Sequence, residues 1–199
     1  MAKGALTIER VERLLDGWLP VDRLRLRHGR FEGGWTPPLE RTVVRRGPAV
    51  VVLPYDPVAD TVVLIEQFRA GAVADPVDAW LIEAVAGLID KDLGPEAIAR
   101  AELQEEAGLE ARDLVQVYEG YSSPGYSDEY IYGFVAHCAD LAVAGHHGLD
   151  HESEDIRPFR LGFDEAMAMW RAGGIRNLPA QLVLLALAAE RTALRARWG

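Results

Sequence analysis

The stretch GLIDKDLGPEAIARAELQEEAGL, residues 87–109, places Glu102, Glu105 and Glu106 three and four residues apart. Residues so spaced are neighbours on one face of a helix, where each like-charge pair costs roughly 0.2–0.5 kcal/mol. Two explanations fit the spacing: a solvated acidic face, or a set of carboxylates that share divalent cations. The spacing alone is compatible with both.

The boundaries of this helix can be read from its flanks. Pro95 stands where a first helical turn begins, with Gly94 as its cap, and Gly108 stands where helices often stop. The predicted helix is therefore about 13 residues long, with Ile98 and Leu103 facing a core. A loop beginning at residue 87 leads into it. Such a unit holds carboxylates rigidly, as hard divalent cations require of oxygen ligands.

The length, composition and net charge of the chain limit the classes of protein to which it can belong. Its 199 residues make one good-sized domain, or one domain with an appended element. The apolar fraction of 49% and charged fraction of 26% are those of an ordinary globular protein. A single cysteine, Cys138, cannot form an internal disulfide. The formal charge of −10 argues against nucleic acid as a partner, but not against a small anion held by arginines or metal ions.

Two segments bear on targeting and on membrane insertion, the N-terminal residues and the longest apolar run. The first residues, MAKGALTIERVERLL, carry acids and bases where a signal peptide has an uninterrupted apolar run. The longest apolar region, LPAQLVLLALAAE, is shorter than the roughly 20 residues that span a bilayer. We therefore expect a packed helix there, no membrane partner and a cytoplasmic protein.

Strand patterns outnumber helical ones. VDRLRLRHGRF alternates apolar and charged residues, so residues 1–45 are predicted to form a strand-rich N-terminal portion. AVVVLPY and TVVLIEQF, joined by DPVAD, predict a β-hairpin, and AWLIEAV predicts one further short strand. The strand RPFRL precedes two helices, FDEAMAMWRAGG and a long terminal one. Strands with few helices, outside strict alternation, predict an α+β fold.

The whole segment 87–109 resembles the Nudix box, the signature of a hydrolase family. That signature reads Gly, five residues, Glu, seven residues, then Arg-Glu-apolar-any-Glu-Glu-any-Gly-apolar. The matching residues of this chain are Gly87, Glu102, Leu103, Glu105, Glu106, Gly108 and Leu109.

Two positions depart from the signature. Leu93 stands where it has Glu, and Ala101 where it has Arg, although Arg100 is adjacent. An acid and a base are lost together, and an apolar pair replaces them. Because burying charge is costly, the swap is neutral or stabilising if Leu93 packs near Ala101. The family's metal ligands lie elsewhere, so the loss does not by itself predict inactivity.

The flanking segments are similar to one subfamily, the bacterial ADP-ribose pyrophosphatases. The similarity runs from about residue 44 to residue 185 and includes LPYDPVADTVVLIEQFR, WLIEAVAGLID, SSPGYSDE and HESEDI. Pro124 lies 15 residues after Leu109, where that subfamily has a diagnostic proline. A plain turn is the alternative, because Ser-Pro-Gly favours one anywhere.

The resemblance implies a site for Mg²⁺ or Mn²⁺. Its ligands here are the backbone carbonyl of Ala86 and the carboxylates of Glu102, Glu105 and Glu106, with Glu154 assisting. The ions bridge the pyrophosphate oxygens, neutralise charge at phosphorus and position a water. Glu105 and Glu106 are thereby catalytic residues as well as ligands.

The acidic loop HHGLDHESEDI, residues 146–156, is expected to supply the general base. Glu152 matches the acid proposed for that role in the subfamily, and Asp155 is the competing candidate. An ionised carboxylate can serve because a divalent ion makes water more acidic. An exposed acidic turn would have the same sequence. The neighbouring His146, His147 and His151 are expected at the surface, since Mg²⁺ prefers oxygen.

Substrate contacts follow from the same resemblance. Arg69 matches an arginine that contacts substrate, and its guanidinium fork suits phosphate. Arg46, with Arg45 as the alternative, is expected near the adenine-side phosphate, and Glu83 is expected to orient a metal or an arginine. The other predicted substrate contacts are Leu88, Pro124 and Glu129.

The resemblance further implies a Nudix fold, a mixed β-sheet sandwiched between helices (α/β/α), and a homodimer. Residues 1–45 are the predicted dimerisation portion and residues 46–199 the hydrolase domain. Glu129 is expected to reach the substrate of a partner subunit. The alternation near Val21 to Arg27 is compatible with strand addition between subunits, although a covered edge strand in one monomer would look the same.

The implied activity is hydrolysis of ADP-ribose to AMP and ribose 5-phosphate. One alternative is the same chemistry on another nucleoside diphosphate sugar, such as GDP-mannose. The other is a module that senses ADP-ribose without cleaving it, for which Leu93 and Ala101 are the best indication. The intact trio of glutamates speaks against the sensing module.

Overall fold

Two β-sheets and three helices make up the structure, a computed structural model that describes residues 4–74, 77–89, 93–148 and 154–199. The strands are β1 Leu6–Leu15, β2 Val21–His28, β3 Leu39–Val44, β4 Pro48–Asp56, β5 Thr61–Phe68, β6 Trp80–Glu83, β7 Val85–Leu88, β8 Asp113–Tyr121, β9 Tyr130–His137 and β10 Arg157–Gly162. The helices are α1 Pro95–Ala107, α2 Phe163–Arg171 and α3 Leu178–Trp198.

The chain divides into two compact units. One consists of Met1–Pro48 with Tyr121–Tyr130, and the other of Ala49–Gly120 with Ile131–Gly199. The N-terminal strands are thus packed with a segment from the middle of the chain.

The first unit contains a three-stranded sheet in the order β1-β2-β3, antiparallel throughout. Near the start of its middle strand β2 lies the buried carboxylate of Asp22, which accepts hydrogen bonds from Arg13 at 2.6 Å and Arg45 at 2.8 Å. Those two guanidinium groups hold the pKa of the Asp22 carboxyl below its usual range. The segment 121–130 joins this unit because Val44 and Tyr126 are hydrogen-bonded through their backbones at 2.8 Å.

The second unit is built on a seven-stranded sheet whose central strands are apolar on both faces. The order is β10-β5-β4-β9-β8, with β6 beside β5 and β7 beside β4. Val51 and Leu53 face a core completed by α2 and α3. Val50 and Val52 face a second core completed by α1. Because successive strand residues point to opposite faces, one sheet carries two helix layers, and the predicted α/β/α sandwich is confirmed.

The segment AWLIEAV forms two strands, not the single strand predicted. The chain changes partner at Ala84: β6 pairs antiparallel with β5, and β7 pairs antiparallel with β4. Period-two alternation cannot show such a change, because both short strands are apolar. The change places Glu83 opposite Ile65 and Ala86 opposite Val51.

The helix α1 has the predicted 13 residues, from Pro95 in its first turn. It ends at Gly108, whose φ of 64° is left-handed and whose N–H binds the carbonyls of Gln104 and Leu103. Burial of Leu103 against the sheet fixes which face turns inward. The predicted hairpin β4–β5, the strand β10 and both later helices are also confirmed. Among the described residues, no helix is long and apolar enough to cross a membrane.

Candidate active site

The first contact of the site joins α1 to β7. The Glu106 side chain is 3% exposed, and its carboxylate accepts a hydrogen bond of 3.0 Å from the Ala86 N–H. Since Ala86 is held opposite Val51 by the sheet, the carboxylate is fixed to a rigid strand. The predicted ligands Glu106 and Ala86 are therefore adjacent.

Glu102 lies one helical turn before Glu106 and faces the same strand. A Cβ atom placed on Gly87 would lie only 1.9 Å from the Glu102 Oε1 atom. The missing side chain at position 87 thus makes room for this carboxylate. This contact explains why glycine stands at the first position of the 87–109 stretch.

Glu105 and Glu154 are linked through the end of the acidic loop. The Gly148 N–H lies 3.4 Å from the Glu105 carbonyl oxygen, and His147 exchanges backbone hydrogen bonds with Ile156. A Cβ on Gly148, whose φ is +103°, would lie 2.7 Å from the Cβ of Glu154. These contacts bring Glu154 to the end of α1.

A second carboxylate is buried on the same side of the sheet. Glu83 is 2% exposed and accepts hydrogen bonds from Arg69 Nη2 at 2.8 Å and Arg69 Nε at 3.2 Å. Glu83 therefore holds the guanidinium of Arg69, and its predicted role toward substrate or metal stays a prediction. Burial by itself lowers the pKa of Arg69, but the hydrogen bonds and charge of Glu83, with the charges of Glu106 and Glu154, leave that pKa raised.

The electrostatics of Glu106 indicate what the site accommodates. Burial raises the pKa of its carboxyl well above the usual range; the Ala86 N–H opposes this, and the charges of Glu102 and Glu154 add to it. Glu102 and Glu154 are thus both close enough to destabilise the charge of Glu106. A divalent cation reverses that repulsion, and carboxylate oxygens are the donors that Mg²⁺ prefers. The donor set fits such an ion.

The side chains of the predicted metal ligands point in different directions. Across the described ranges, no three His, Cys, Asp or Glu side chains stand close enough together to hold a metal ion as placed. Glu102 is turned toward Gly87, and Glu106 toward Ala86.

Three predicted substrate residues belong to the first unit. Arg46 lies 3.8 Å from Glu129 and stacks over the Trp18 ring at 5.1 Å. Its alternative, Arg45, is bound to Asp22 and Asp128 at 2.8 Å and 3.2 Å. Arg45 is therefore committed to internal ion pairs, which favours Arg46 as the substrate contact.

The remaining predictions fall in several places. Pro124 is exposed in a turn, and Leu88 is partly buried at the end of β7, opposite Ala49. Glu152 and His151 lie outside the described residues. Asp155, the competing base, is exposed and lies 2.9 Å from His146. The assignments of base and substrate contacts stay predictions.

The two departures from the signature are also placed. Leu93 is 51% exposed and Ala101 is partly buried. The proposed packing of Leu93 against Ala101 stays a prediction. Arg100, next to the altered position, donates to Glu96 at 2.9 Å and to the Ala111 carbonyl at 2.7 Å. It ties α1 to the chain that follows the helix.

Gln67 was not singled out in the sequence analysis. It is 4% exposed and donates from Nε2 to Glu83 at 3.2 Å. The available signal was its position two residues before Arg69 on a predicted strand, which places both side chains on one face. A polar residue at a core-facing position ordinarily has a buried partner.

Known proteins resemble this chain along most of its length. The NUDIX domain family matches residues 45–180. The chain is 36% identical over 187 residues to an ADP-ribose pyrophosphatase of Escherichia coli strain K12, covering 94% of this chain and 90% of the relative. It is 34% identical over 167 residues to an ADP-ribose pyrophosphatase of Haemophilus influenzae, covering 82% and 77%.

Two further comparisons bear on substrate and fold. A GDP-mannose pyrophosphatase of Salmonella typhimurium is 38% identical over 146 residues, covering 73% of this chain and 75% of the relative. A crystal structure of an ADP compounds hydrolase has a TM-score of 0.74 at 22% identity and covers 98% of both chains. Together, the family match, the relatives and the layered fold show that this chain belongs to the Nudix hydrolase family.

Proposed function

We propose that this protein is a Mg²⁺-dependent pyrophosphatase that hydrolyses ADP-ribose to AMP and ribose 5-phosphate. The main support is the buried Glu106 carboxylate, which is close to the negative charges of Glu102 and Glu154. The same carboxylate interacts electrostatically with Arg69. A bound cation would relieve the repulsion among these carboxylates, and the positive charge of Arg69 can bind an anion. The relatives named ADP-ribose pyrophosphatase support this substrate.

The residues proposed to hold the metal are Ala86, Glu102, Glu105, Glu106 and Glu154. The ions, Mg²⁺ or Mn²⁺, would supply charge stabilisation at the pyrophosphate and activation of a water. Three features of the chain keep the carboxylates in place: the helix α1, the β7 backbone and the backbone contact between Gly148 and Glu105. Because Glu106 is buried, water screens its charge less than it would at the surface.

The other groups of the chain are proposed to bind substrate and to move one proton. Arg69 binds a phosphate oxygen with the part of its guanidinium that does not face Glu83. Glu152 accepts the proton of the attacking water, with Asp155 as the alternative. One P–O bond forms to that water while the P–O bond to the bridging oxygen breaks, and the bridging oxygen leaves on the departing phosphate.

The second candidate is cleavage of another nucleoside diphosphate sugar. It is favoured by relatives named GDP-mannose pyrophosphatase at 38–39% identity over 146 residues. Both candidates place the same diphosphate on Arg69 and the glutamates. They differ in the base and sugar contacts, to which the proposed contact Leu88 belongs.

A panel assay tests the function and separates the candidates. The protein is incubated with Mg²⁺ and, in parallel, ADP-ribose, ADP-glucose and GDP-mannose, and the products are resolved by chromatography. We expect AMP and ribose 5-phosphate from ADP-ribose at the highest kcat/KM. A higher kcat/KM with GDP-mannose would select the second candidate. Absence of cleavage with all three would leave the sensing module and refute the enzyme.

We also propose a homodimer formed through the first unit. Strand β1 is the edge of its sheet, and it exposes apolar side chains along its length. Leu6, Ile8, Val11 and Leu15 are 51–58% exposed. Within the described residues this edge is not covered by the chain itself, which favours strand addition over the alternative of a covered edge. Sedimentation should show a dimer, and Val11→Lys should weaken it; a wild-type monomer would refute this part.

A further inference from the structure

The side chain of Gln67 stands at an apolar position of strand β5. Ile65 and Val63, two and four residues earlier, are fully buried in the core beside α1. The period of two puts Gln67 on that same face, where it is 4% exposed. A buried amide in this place costs free energy unless it is hydrogen-bonded. Its bond to Glu83 provides that partner.

The same periodicity brings three polar side chains together. Glu83 stands opposite Ile65, which makes Gln67 its diagonal neighbour across the β5–β6 pair. Arg69 follows β5 in extended conformation, with φ of −127° and ψ of 112°, so its side chain continues on that face. Its N–H binds the Ala79 carbonyl at 2.9 Å, which holds its backbone to the strand that carries Glu83.

Glu83 receives hydrogen bonds from both neighbours. Its Oε2 atom accepts from Gln67 Nε2 at 3.2 Å and from Arg69 Nη2 at 2.8 Å. The Arg69 side chain is 41% exposed, whereas that of Glu83 is 3% exposed. The guanidinium is therefore anchored on its inner edge and accessible on its outer part. Its direction depends on the rotation of a carboxylate that Gln67 restrains.

We propose that Gln67 is a positioning residue that fixes Glu83 and thereby sets the direction in which Arg69 meets a phosphate oxygen. This inference rests on the proposed function, in which Arg69 binds the diphosphate. Gln67 contacts neither substrate nor metal in this proposal. Its effect is exerted through one carboxylate on one arginine.

The proposal predicts a specific change in kinetics. Gln67→Met keeps the length of the side chain and removes its donors. Glu83 then rotates more freely, and Arg69 binds the ground state and the transition state of the substrate less well by the same amount. Such a loss of uniform binding raises KM and leaves kcat nearly unchanged. We expect KM to rise about tenfold, the low end of the effect of losing one hydrogen bond between Arg69 and a charged phosphate oxygen.

The decisive experiment is a double-mutant cycle. KM, kcat and thermal midpoint are measured for the wild type, Gln67→Met, Arg69→Ala and the double variant. If Gln67 acts through Arg69, Gln67→Met raises KM in the wild type and adds almost nothing once Arg69 is removed. An equal rise in both backgrounds, or a lowered midpoint with unchanged KM, would overturn the proposal.

Two further variants guard against effects of folding. Thr61→Val removes, from the same strand, a buried hydroxyl that has no hydrogen-bond partner among the described residues, and it should leave KM unchanged. Gln67→Leu repeats the loss of donors with another apolar shape and should reproduce the KM of Gln67→Met. If neither apolar variant folds, Gln67 is needed for the core itself and the proposal is refuted.

The substrate is chosen so that this test stays separate from the proposed function. KM is measured on whichever nucleoside diphosphate sugar the wild type cleaves, so a preference for GDP-mannose leaves the inference intact. If the wild type cleaves none, calorimetric titration with ADP-ribose replaces KM. About tenfold weaker binding by Gln67→Met, absent in the Arg69→Ala background, then supports the inference, and equal binding by the wild type and Gln67→Met refutes it.

Discussion

The Glu106 carboxylate on α1 and the Ala86 N–H on β7 are joined by a hydrogen bond of 3.0 Å. This single contact fixes the acidic helix against a strand that is itself paired along β4. It gives the buried carboxylate one backbone donor, too little to offset its desolvation. The result is a side chain held firmly in position in an environment that disfavours its charge.

Replacing Glu106 by Gln should abolish most activity without unfolding the protein. Gln has nearly the same shape, and its carbonyl oxygen can accept from Ala86, so the thermal midpoint should not fall. The charge that draws the cation is lost, and we expect turnover to drop by about 10²-fold or more. Glu110→Gln, an exposed acid just after the helix, is the matched control. Normal turnover of Glu106→Gln would exclude Glu106 from the site.

The raised pKa of Glu106 predicts a dependence of stability on pH. In metal-free protein the folded state keeps the carboxyl proton above the ordinary value of 4.5, where the unfolded state has lost it. The contribution to the free energy of unfolding is therefore complete below that pH and is lost as pH rises through the raised pKa. Urea titrations across this range should show it as a difference between wild type and Glu106→Gln. Parallel pH profiles of the two proteins would contradict it.

Mg²⁺ binding should release a proton from the same carboxyl. Metal ligands must be deprotonated, so affinity for Mg²⁺ should rise with pH as Glu106 ionises. Calorimetric titration in two buffers of different ionisation enthalpy measures the number of protons released. We expect the release to fall in Glu106→Gln and to persist in Glu110→Gln. Identical proton release by the wild type and Glu106→Gln would assign the proton to another group.

Gly87→Ala should displace a carboxylate while leaving the fold intact. The new Cβ would collide with the Glu102 carboxylate at 1.9 Å, and the end of that side chain can rotate away. We expect weaker Mg²⁺ activation and an almost unchanged thermal midpoint. Gly120→Ala, where a Cβ meets nothing within 4 Å, is the control. Equal Mg²⁺ dependence in both variants would mean that the placement of Glu102 does not matter.

Gly108→Ala should lower stability for two separable reasons. Its φ of 64° costs an L-residue roughly 1–2 kcal/mol, and its new Cβ would lie 2.9 Å from His147 Cε1. Gly173→Ala at φ of 79°, with nothing within 4 Å, measures the backbone part alone. Adding His147→Ala to Gly108→Ala should restore only the stability that Gly108→Ala loses beyond the loss in Gly173→Ala. Urea unfolding of the wild type and these three variants gives these values, and a larger loss in Gly173→Ala would contradict this account.

Local patterns predicted the elements of this fold well. Pro95 and Gly108 bounded α1 correctly, because a missing N–H and a left-handed φ are properties of single residues. The hairpin β4–β5 followed from its β-branched runs. The division of AWLIEAV at Ala84 did not, because it depends on which neighbour each half pairs with. Pairing is a property of the folded sheet and leaves no mark on a short apolar run.

The candidate site shows the same division. Glu102, Glu105 and Glu106 were found by helical spacing and by family resemblance. Asp22, which binds Arg45, and Gln67, which binds Glu83, were not singled out. Asp22 and Arg45 are 23 positions apart and Gln67 and Glu83 are 16 positions apart, and the sequence alone does not show which distant residue a lone polar side chain in a strand will bind. Long-range polar contacts of this kind require the register of the sheet.

Strands β4 and β5 each pack against both helix layers, so a change in the length of either strand would disturb both cores. Deleting a single residue near Val52 would send every later side chain of β4 to the wrong side, exchanging the partners of α1 with those of α3. Neither layer could adjust without disturbing the other. Natural variants that differ in length should therefore carry their insertions and deletions in the connecting loops, such as the turn at residues 57–60, and leave these two strands untouched.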